Sequence, residues 1–350
     1  MTPIDRSRPV MVTGATGYVA SWLVKRLLDE GLTVHAPVRN PRAPEKVAHL
    51  DALANSTPGR IRYFHADLLE AGSYAEAMAD CQLVFHTASP FTQHSEHPEQ
   101  ELLRPAVEGT KNVLEQANRT ASVRRVVLTS STAAIGADAT DSRRGSLTEA
   151  DWNTSASLEY QPYAFSKTVA ERTAWDIAHA QDRWDLVVIN PCLVMGPALN
   201  PVSGTSESLR LLRKMGSGEL KFGVPRVGIG LVDVRDVAEA HYAAGFRPAA
   251  AGRYLTCGHC TDFVELTAAL QPKYGDEYPI PSRSVPKWLL RLIGPLVDPA
   301  LTRRFVRENV DVDWRADNGK VRRELGVSFR PLRETMEEAF GTLVEAGVMD

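Results

Sequence analysis

Short apolar runs separated by amphipathic stretches recur through the first 260 residues. Val10-Met11-Val12, Thr33–Val38, Ile61–Phe64, Leu83–His86, Val126–Leu128 and Leu186–Ile189 read as buried strands. Between them the spacing predicts helices from Tyr18 to about Glu30, over Pro44–Ala54, over about Glu99–Asn118, and from Tyr163 to about Ala180. Strands that alternate with helices build a parallel sheet covered on both faces, so its strands need no polar alternation. The pattern predicts an α/β fold: a doubly wound, Rossmann-type parallel sheet with a smaller C-terminal α/β lobe. Beyond Met195-Gly196-Pro197 the alternation weakens. Ser206–Met215 reads as a helix, Leu231-Val232 as a strand, Val234–Gly245 as a helix capped by Asp233, Arg253–Cys257 as a strand, and Leu332–Glu345 as a last helix. Residues 1–192 with 231–258 are assigned to a dinucleotide-binding domain, and 193–230 with 259–350 to a substrate-binding lobe.

The first strand runs into Thr13-Gly14-Ala15-Thr16-Gly17, and the next helix opens on Tyr18-Val19-Ala20. Glycines at such a strand-to-helix turn let backbone approach a pyrophosphate, and the helix N-terminus offers unpaired N–H groups and partial positive charge. Gly14, Thr16, Gly17, Tyr18 and Val19 are therefore expected at a cofactor. Many dinucleotide folds place a carboxylate after the second strand to hold the ribose hydroxyls; here Arg39 stands there, with Lys46 seven residues on. Two cations suit a 2′-phosphate and predict NADPH/NADP. Asp67 follows the third strand, where a carboxylate can accept from an adenine amino group. Thr87, Ala88 and Ser89 follow the fourth strand, and Thr129 and Ser130 end the fifth. Ligands of such sheets lie at the carboxyl ends of the strands, so these residues are expected along the cofactor.

Tyr163 and Lys167 are four residues apart at a helix start, hence on one face. A nearby ammonium favours the phenolate and is expected to lower a phenol's pKa from about 10. Ser131 is chosen as the third catalytic group, its hydroxyl holding a substrate oxygen beside Tyr163; Thr129, Ser130 and Thr132 are rivals. His86, in a strand, and His241, in a helix, read as structural. Phe91, Ile135, Val194, Met195, Met215 and Phe222, with Ser131, are the candidate walls of a substrate pocket.

Composition narrows the setting. The 350 residues carry a formal net charge of −3 with no block of like charges, and no apolar run approaches a membrane span. Nucleic acid and membrane are therefore not expected as partners; the small-molecule carbonyl substrate expected for a cytoplasmic monomer or homodimer does not rest on composition. Of four cysteines, Cys257 and Cys260 have C-x-x-C spacing, but no second such pair exists, so no metal is expected.

TGATGYVA, VRNP, VFHTASPF, EGTKNVL, TSS, YAFSK, NPCLVMGP and LVDVRDVAEAH occur in order over roughly residues 8–260. Together they resemble the extended short-chain dehydrogenase/reductases, in the branch of dihydroflavonol 4-reductases, cinnamoyl-CoA reductases and related NADPH-dependent aldehyde and ketone reductases. The resemblance implies Ser131, Tyr163 and Lys167 as the catalytic set. It further implies Arg39 and Lys46 at the 2′-phosphate, Asp67 with Leu68 near adenine, Thr87 and Ala88 along the cofactor, and Pro191 to Val194 beside the nicotinamide. Two positions depart from the plant pattern. Gly136 stands where dihydroflavonol reductases carry a flavonoid-binding Asn, and Gln161-Pro162-Tyr163-Ala164-Phe165-Ser166-Lys167 replaces the N-W-Y-C-Y-G-K of cinnamoyl-CoA reductases. The expectation is a carbonyl reductase. The alternatives are a nucleotide-sugar epimerase/dehydratase or 3β-hydroxysteroid-type dehydrogenase, and, from another class, a non-catalytic NADP-binding redox sensor.

Overall fold

The computed structural model describes residues 3–89, 95–203 and 206–349. The first half alternates β1 (Val10–Thr13), α1 (Tyr18–Asp29), β2 (Thr33–Val38), α2 (Pro44–Ser56), β3 (Arg60–His65), α3 (Ala75–Met78), β4 (Leu83–His86), α4 (Arg104–Arg119), β5 (Arg125–Thr129), α5 (Pro162–His179) and β6 (Asp185–Pro191). The second half holds β7 (Leu193–Met195), α6 (Glu207–Gly216), β8 (Val224–Pro225), β9 (Gly228–Asp233), α7 (Val234–Phe246), β10 (Gly252–Thr256), β11 (His259–Asp262), α8 (Phe263–Tyr274), β12 (Ser284–Val285), α9 (Lys287–Val297), α10 (Arg303–Asn309), α11 (Gly319–Leu325) and α12 (Leu332–Glu345).

Seven strands form one parallel sheet in the order β10-β6-β5-β4-β1-β2-β3. Successive residues of a strand point to opposite faces, and here both faces are apolar. Val10 and Val12 join the core under α1, α7 and α11, whereas Met11 joins the core under α3, α4 and α5. Strand order reverses at β1, between β2 and β4, so the crevice beyond the carboxyl ends of β1 and β4 is the ligand position this topology favours. β3 is one edge, with Arg60, Arg62 and His65 exposed.

Three local differences from the sequence pattern have physical causes. The helix expected from Glu99 is split: Glu99–Leu103 winds as a π-helical turn, and regular α4 starts only beside Pro105, which has no N–H to donate. Leu231–Asp233, expected with the dinucleotide-binding segment, belong to β9, which pairs with β7 and β11 in a separate three-stranded sheet. β8 and β12 are two residues each, too short to show any periodicity.

At the amino-terminal edge of the main sheet lies Arg125, whose side chain is 2% exposed. Its guanidinium forks onto Asp185 at 2.7–3.1 Å and donates to the carbonyls of Ala244 and Arg247. It thereby joins β5 and β6 to the C-terminal end of α7, the dipole end that favours a cation.

Candidate active site

The glycine turn is held open by β4. Gly14 has φ +63°, and a Cβ there would lie 3.0 Å from Ala88 Cα. Gly17 donates to Gly14 O at 2.8 Å and caps α1 in extended conformation. Thr13 locks this arrangement, its hydroxyl oxygen accepting from Thr87 N at 3.1 Å and Ala88 N at 3.0 Å. With its lone pairs taken, the Thr13 hydroxyl gives its proton to His86 Nδ1, 2.9 Å away. Burial drives His86 down to about pH 3, so the ring is neutral and can accept there. Gly14→Ala is expected to lower the unfolding free energy by about 1–2 kcal/mol, the cost of a side chain in the left-handed region. Urea denaturation checks it, and an unchanged midpoint would show that the turn relaxes.

The carboxyl ends of β1, β2 and β3 bring Gly14, Arg39 and Asp67 to one edge of the sheet. Arg39 and Lys46 are exposed. Asp67 Oδ1 accepts from Leu69 N at 2.9 Å, and Leu68 packs where any side chain on Gly109 would lie. Thr87, Ala88 and Ser89 are half-buried at the end of β4.

Successive hydroxyl residues at the end of β5 take different directions. Thr129 Oγ1 lies 2.7 Å from His241 Nε2, on the α7 face. His241 Nδ1 donates to Val237 O, and burial pushes the ring down to about pH 4, so Nε2 accepts from Thr129. Ser130 turns to the opposite face and donates to Glu171 at 2.5 Å. Thr129 and Ser130 were expected along the cofactor; their hydroxyls are bonded to His241 and Glu171. Ser131 leaves the strand, accepts from Ala133 N at 3.1 Å, and lies near enough to the Tyr163 phenol to lower its pKa.

Tyr163 stands at the start of α5, entered through Gln161 in left-handed conformation (φ +53°). That residue is anchored by Asp138, 1% exposed, whose Oδ1 accepts from Tyr160, Gln161 and Asn309 at 2.6–2.7 Å. One turn on, Lys167 Nζ donates to Ser89 at 2.8 Å and lies 5.7 Å from the Tyr163 ring centroid. Burial pushes the Tyr163 phenol up to about 12, against Ser131, which lowers it. The direction is opposite to the lowered phenol expected from sequence, because burial is the larger cause. Burial brings Lys167 down to about 8, opposed by the Glu171 carboxylate.

The expected substrate wall is dispersed. Met195 and Met215 are fully buried in the lobe core with Leu212, Leu266 and Phe340, and Ile135 is 1% exposed. Phe222 is 84% exposed, and Phe91 lies outside the described residues. Val194 is half-buried beside Cys192. Apolar positions beside a site and inside a core read alike in sequence, and here packing claimed the methionines. Tyr18, expected at the cofactor, directs its hydroxyl to Gly196 O at 2.6 Å. Among the described residues, no group of three or more His, Cys, Asp or Glu is placed to hold a metal ion.

Sequence reading passed over the groups that support this site. Asp138 carries no sequence signal beyond its place in a polar loop. Glu171 carried one signal: it follows Tyr163 and Lys167 at the same four-residue step.

A glycine turn at the switch point of a parallel sheet, with a Ser–Tyr–Lys group beyond the next strands, defines a dinucleotide-dependent α/β protein. The chain belongs to the NAD dependent epimerase/dehydratase family, whose model matches residues 10–256. It is similar to tetraketide alpha-pyrone reductase 1 of Arabidopsis thaliana, with 37% identity over 97% of this chain and 96% of that protein. It is also similar to cinnamoyl-CoA reductase 2 of Medicago truncatula, 37% identical over 97% and 92%. Among solved structures it resembles yeast methylglyoxal/isovaleraldehyde reductase complexed with NADPH, at a TM-score of 0.77 and 27% identity, covering 97% of this chain and 99% of that one.

Proposed function

We propose that this protein is an NADPH-dependent reductase of aldehydes or ketones, with Tyr163 as proton donor assisted by Lys167 and Ser131. The observation that carries the reading is the placement of Ser131, beyond β5, beside the Tyr163 phenol, whose pKa it lowers, with Lys167 one helical turn further along α5, its Nζ donating to Ser89 at the end of β4. The reductases among its relatives, and the NADPH in the yeast structure, support the same reading.

The residues present fit a dinucleotide phosphate. Gly14 and Gly17 keep the turn clear of side chains where a pyrophosphate would approach, and Arg39 and Lys46 would meet the 2′-phosphate. When bound, the reduced nicotinamide supplies the hydride. Ser131 and Tyr163 orient the carbonyl oxygen by hydrogen bonds, and Tyr163 gives it a proton as negative charge develops. A phenol raised to about 12 is protonated at neutral pH, which suits a donor. Lys167, near 8, is mainly the ammonium there and stabilises the phenolate left behind. The same groups run the reverse reaction.

We assign residues 193–230 and 259–350 to the substrate side, and a cytoplasmic monomer or homodimer as the working form. Among the described residues no helix is long and apolar enough to cross a membrane.

NADPH oxidation followed by absorbance with a panel of aryl and branched aldehydes, ketones and α-keto esters tests the activity. Turnover confined to a nucleotide sugar or an acyl-CoA thioester would overturn it. Arg39→Asp is expected to weaken NADPH by roughly ten- to hundredfold, the worth of one charged hydrogen bond, while leaving NADH much less affected. Equal use of NADH and NADPH by the native enzyme would remove Arg39 from this role.

A further inference from the structure

Beneath the site lies a buried polar cluster that the proposed chemistry does not use. Glu171 is 1% exposed and follows Lys167 by one helical turn. Its Oε2 accepts from Ser130 Oγ at 2.5 Å and from Asn190 Nδ2 at 2.7 Å. Its Oε1 accepts from Arg253 Nε at 2.6 Å. Arg253, itself 6% exposed, donates to the carbonyls of Glu149 and Asp151 and lies with its guanidinium 4.0 Å from the Trp152 ring centroid. One carboxylate thus ties β5, β6, β10 and the loop before α5 to the helix that carries Tyr163 and Lys167.

Asn190 shows that these ties are specific. Its Oδ1 is buried with no partner among the described residues, an arrangement that costs free energy. What Asn190 contributes is the other end of the amide, which donates to Glu171 and to the carbonyl of Ser131, 3.1 Å away. Glu171 therefore reaches Ser131 by two routes: through Ser130, its chain neighbour, and through Asn190, which grips its backbone.

We propose that Glu171 is a positioning residue of this site: through Ser130, Asn190 and Arg253 it fixes the ends of β5 and β6 that place Ser131 against Tyr163, and it keeps a negative charge beneath Lys167. The inference rests on the functional reading above. It concerns a group that touches neither substrate nor cofactor. Among the described residues, the charged and titratable groups around Lys167 are Tyr163 and Glu171 on its own helix, neutral His86 from the end of β4, and Arg253 of β10 behind Glu171. Neutralising Glu171 leaves Arg253 as an unpaired cation, so both changes work against the Lys167 ammonium.

The test uses the full-length protein, with Glu171→Gln compared with Glu171→Asp. Rates with an aryl α-keto ester are measured from pH 6 to 10, and the Lys167 titration is followed separately by 13Cε-lysine NMR, assigned with Lys167→Met. Glu171→Gln is expected to lower kcat by roughly 10- to 100-fold, the scale of a small misplacement at a reacting centre. It should also move both the alkaline limb of the rate profile and the Lys167 titration to lower pH. Glu171→Asp, which keeps the charge on a shorter arm, should restore the titration and part of kcat. A folded Glu171→Gln protein whose Lys167 titrates as in the native enzyme would overturn the proposal. So would a loss of thermal stability with kcat unchanged. Because the NMR titration needs no turnover, it decides the role of Glu171 even where native protein inactive toward every carbonyl would overturn the functional reading.

Discussion

Tyr163→Phe is expected to reduce turnover by roughly 10²–10⁴-fold, the usual contribution of a positioned general acid, while NADPH binding stays close to native. The two effects separate because the phenol and the turn lie on different elements. The phosphate turn is built from β1, α1 and the end of β4, locked by Thr13, and Arg39 follows β2. None of these depends on the Tyr163 hydroxyl. What the variant loses is the phenolic proton beside Ser131. Phe also keeps the ring, so α5 retains its packing. Stopped-flow or steady-state NADPH oxidation, with cofactor binding measured by fluorescence titration, distinguishes the two quantities. A Phe variant working at near-native rate would place the acid elsewhere in the cleft.

Arg125→Ala is expected to remove about 3–5 kcal/mol of stability, the range found when one partner of a buried ion pair is deleted. The loss has three sources. Asp185, with 26% of its side chain exposed, keeps a charge without its partner; the carbonyls of Ala244 and Arg247 lose their donor; and a large fully buried side chain leaves a cavity. Urea unfolding measures it, and a change below about 1 kcal/mol, within the range of an exposed pair, would show that water takes over the guanidinium's role. The folded fraction should keep its kcat, because Arg125 begins the strand whose other end leads to Ser131.

The strands of the main sheet and the glycine turn were legible because their signals are local. Apolar runs of three to six residues, punctuated by glycine and polar residues, point to β1 to β6 without knowledge of neighbours. Direction at a strand end is different. Thr129, Ser130 and Ser131 are near-equivalent in sequence, yet the pleat sends the first to His241 and the second to Glu171, and only the third, beyond the strand, meets Tyr163. The residues alone favour Ser131 but leave Thr129, Ser130 and Thr132 as rivals, and the resemblance to a family implies the same choice. Partners far apart in sequence were invisible for the same reason: Glu171 and Arg253 are separated by 82 positions, Asp138 and Asn309 by 171. Met195 and Met215, expected as pocket walls, pack in a core because hydrophobicity records a wish to leave water and not the surface that grants it.

The outer edge of the sheet bears on how the protein behaves when concentrated. An edge strand offers a row of backbone groups that another chain's strand could extend, the route by which sheets grow into aggregates. On β3 that row is guarded by exposed Arg60, Arg62 and His65. A second molecule adding its own β3 there would bring the guanidinium groups of both copies together across the new ladder, a repulsion that discourages runaway strand addition.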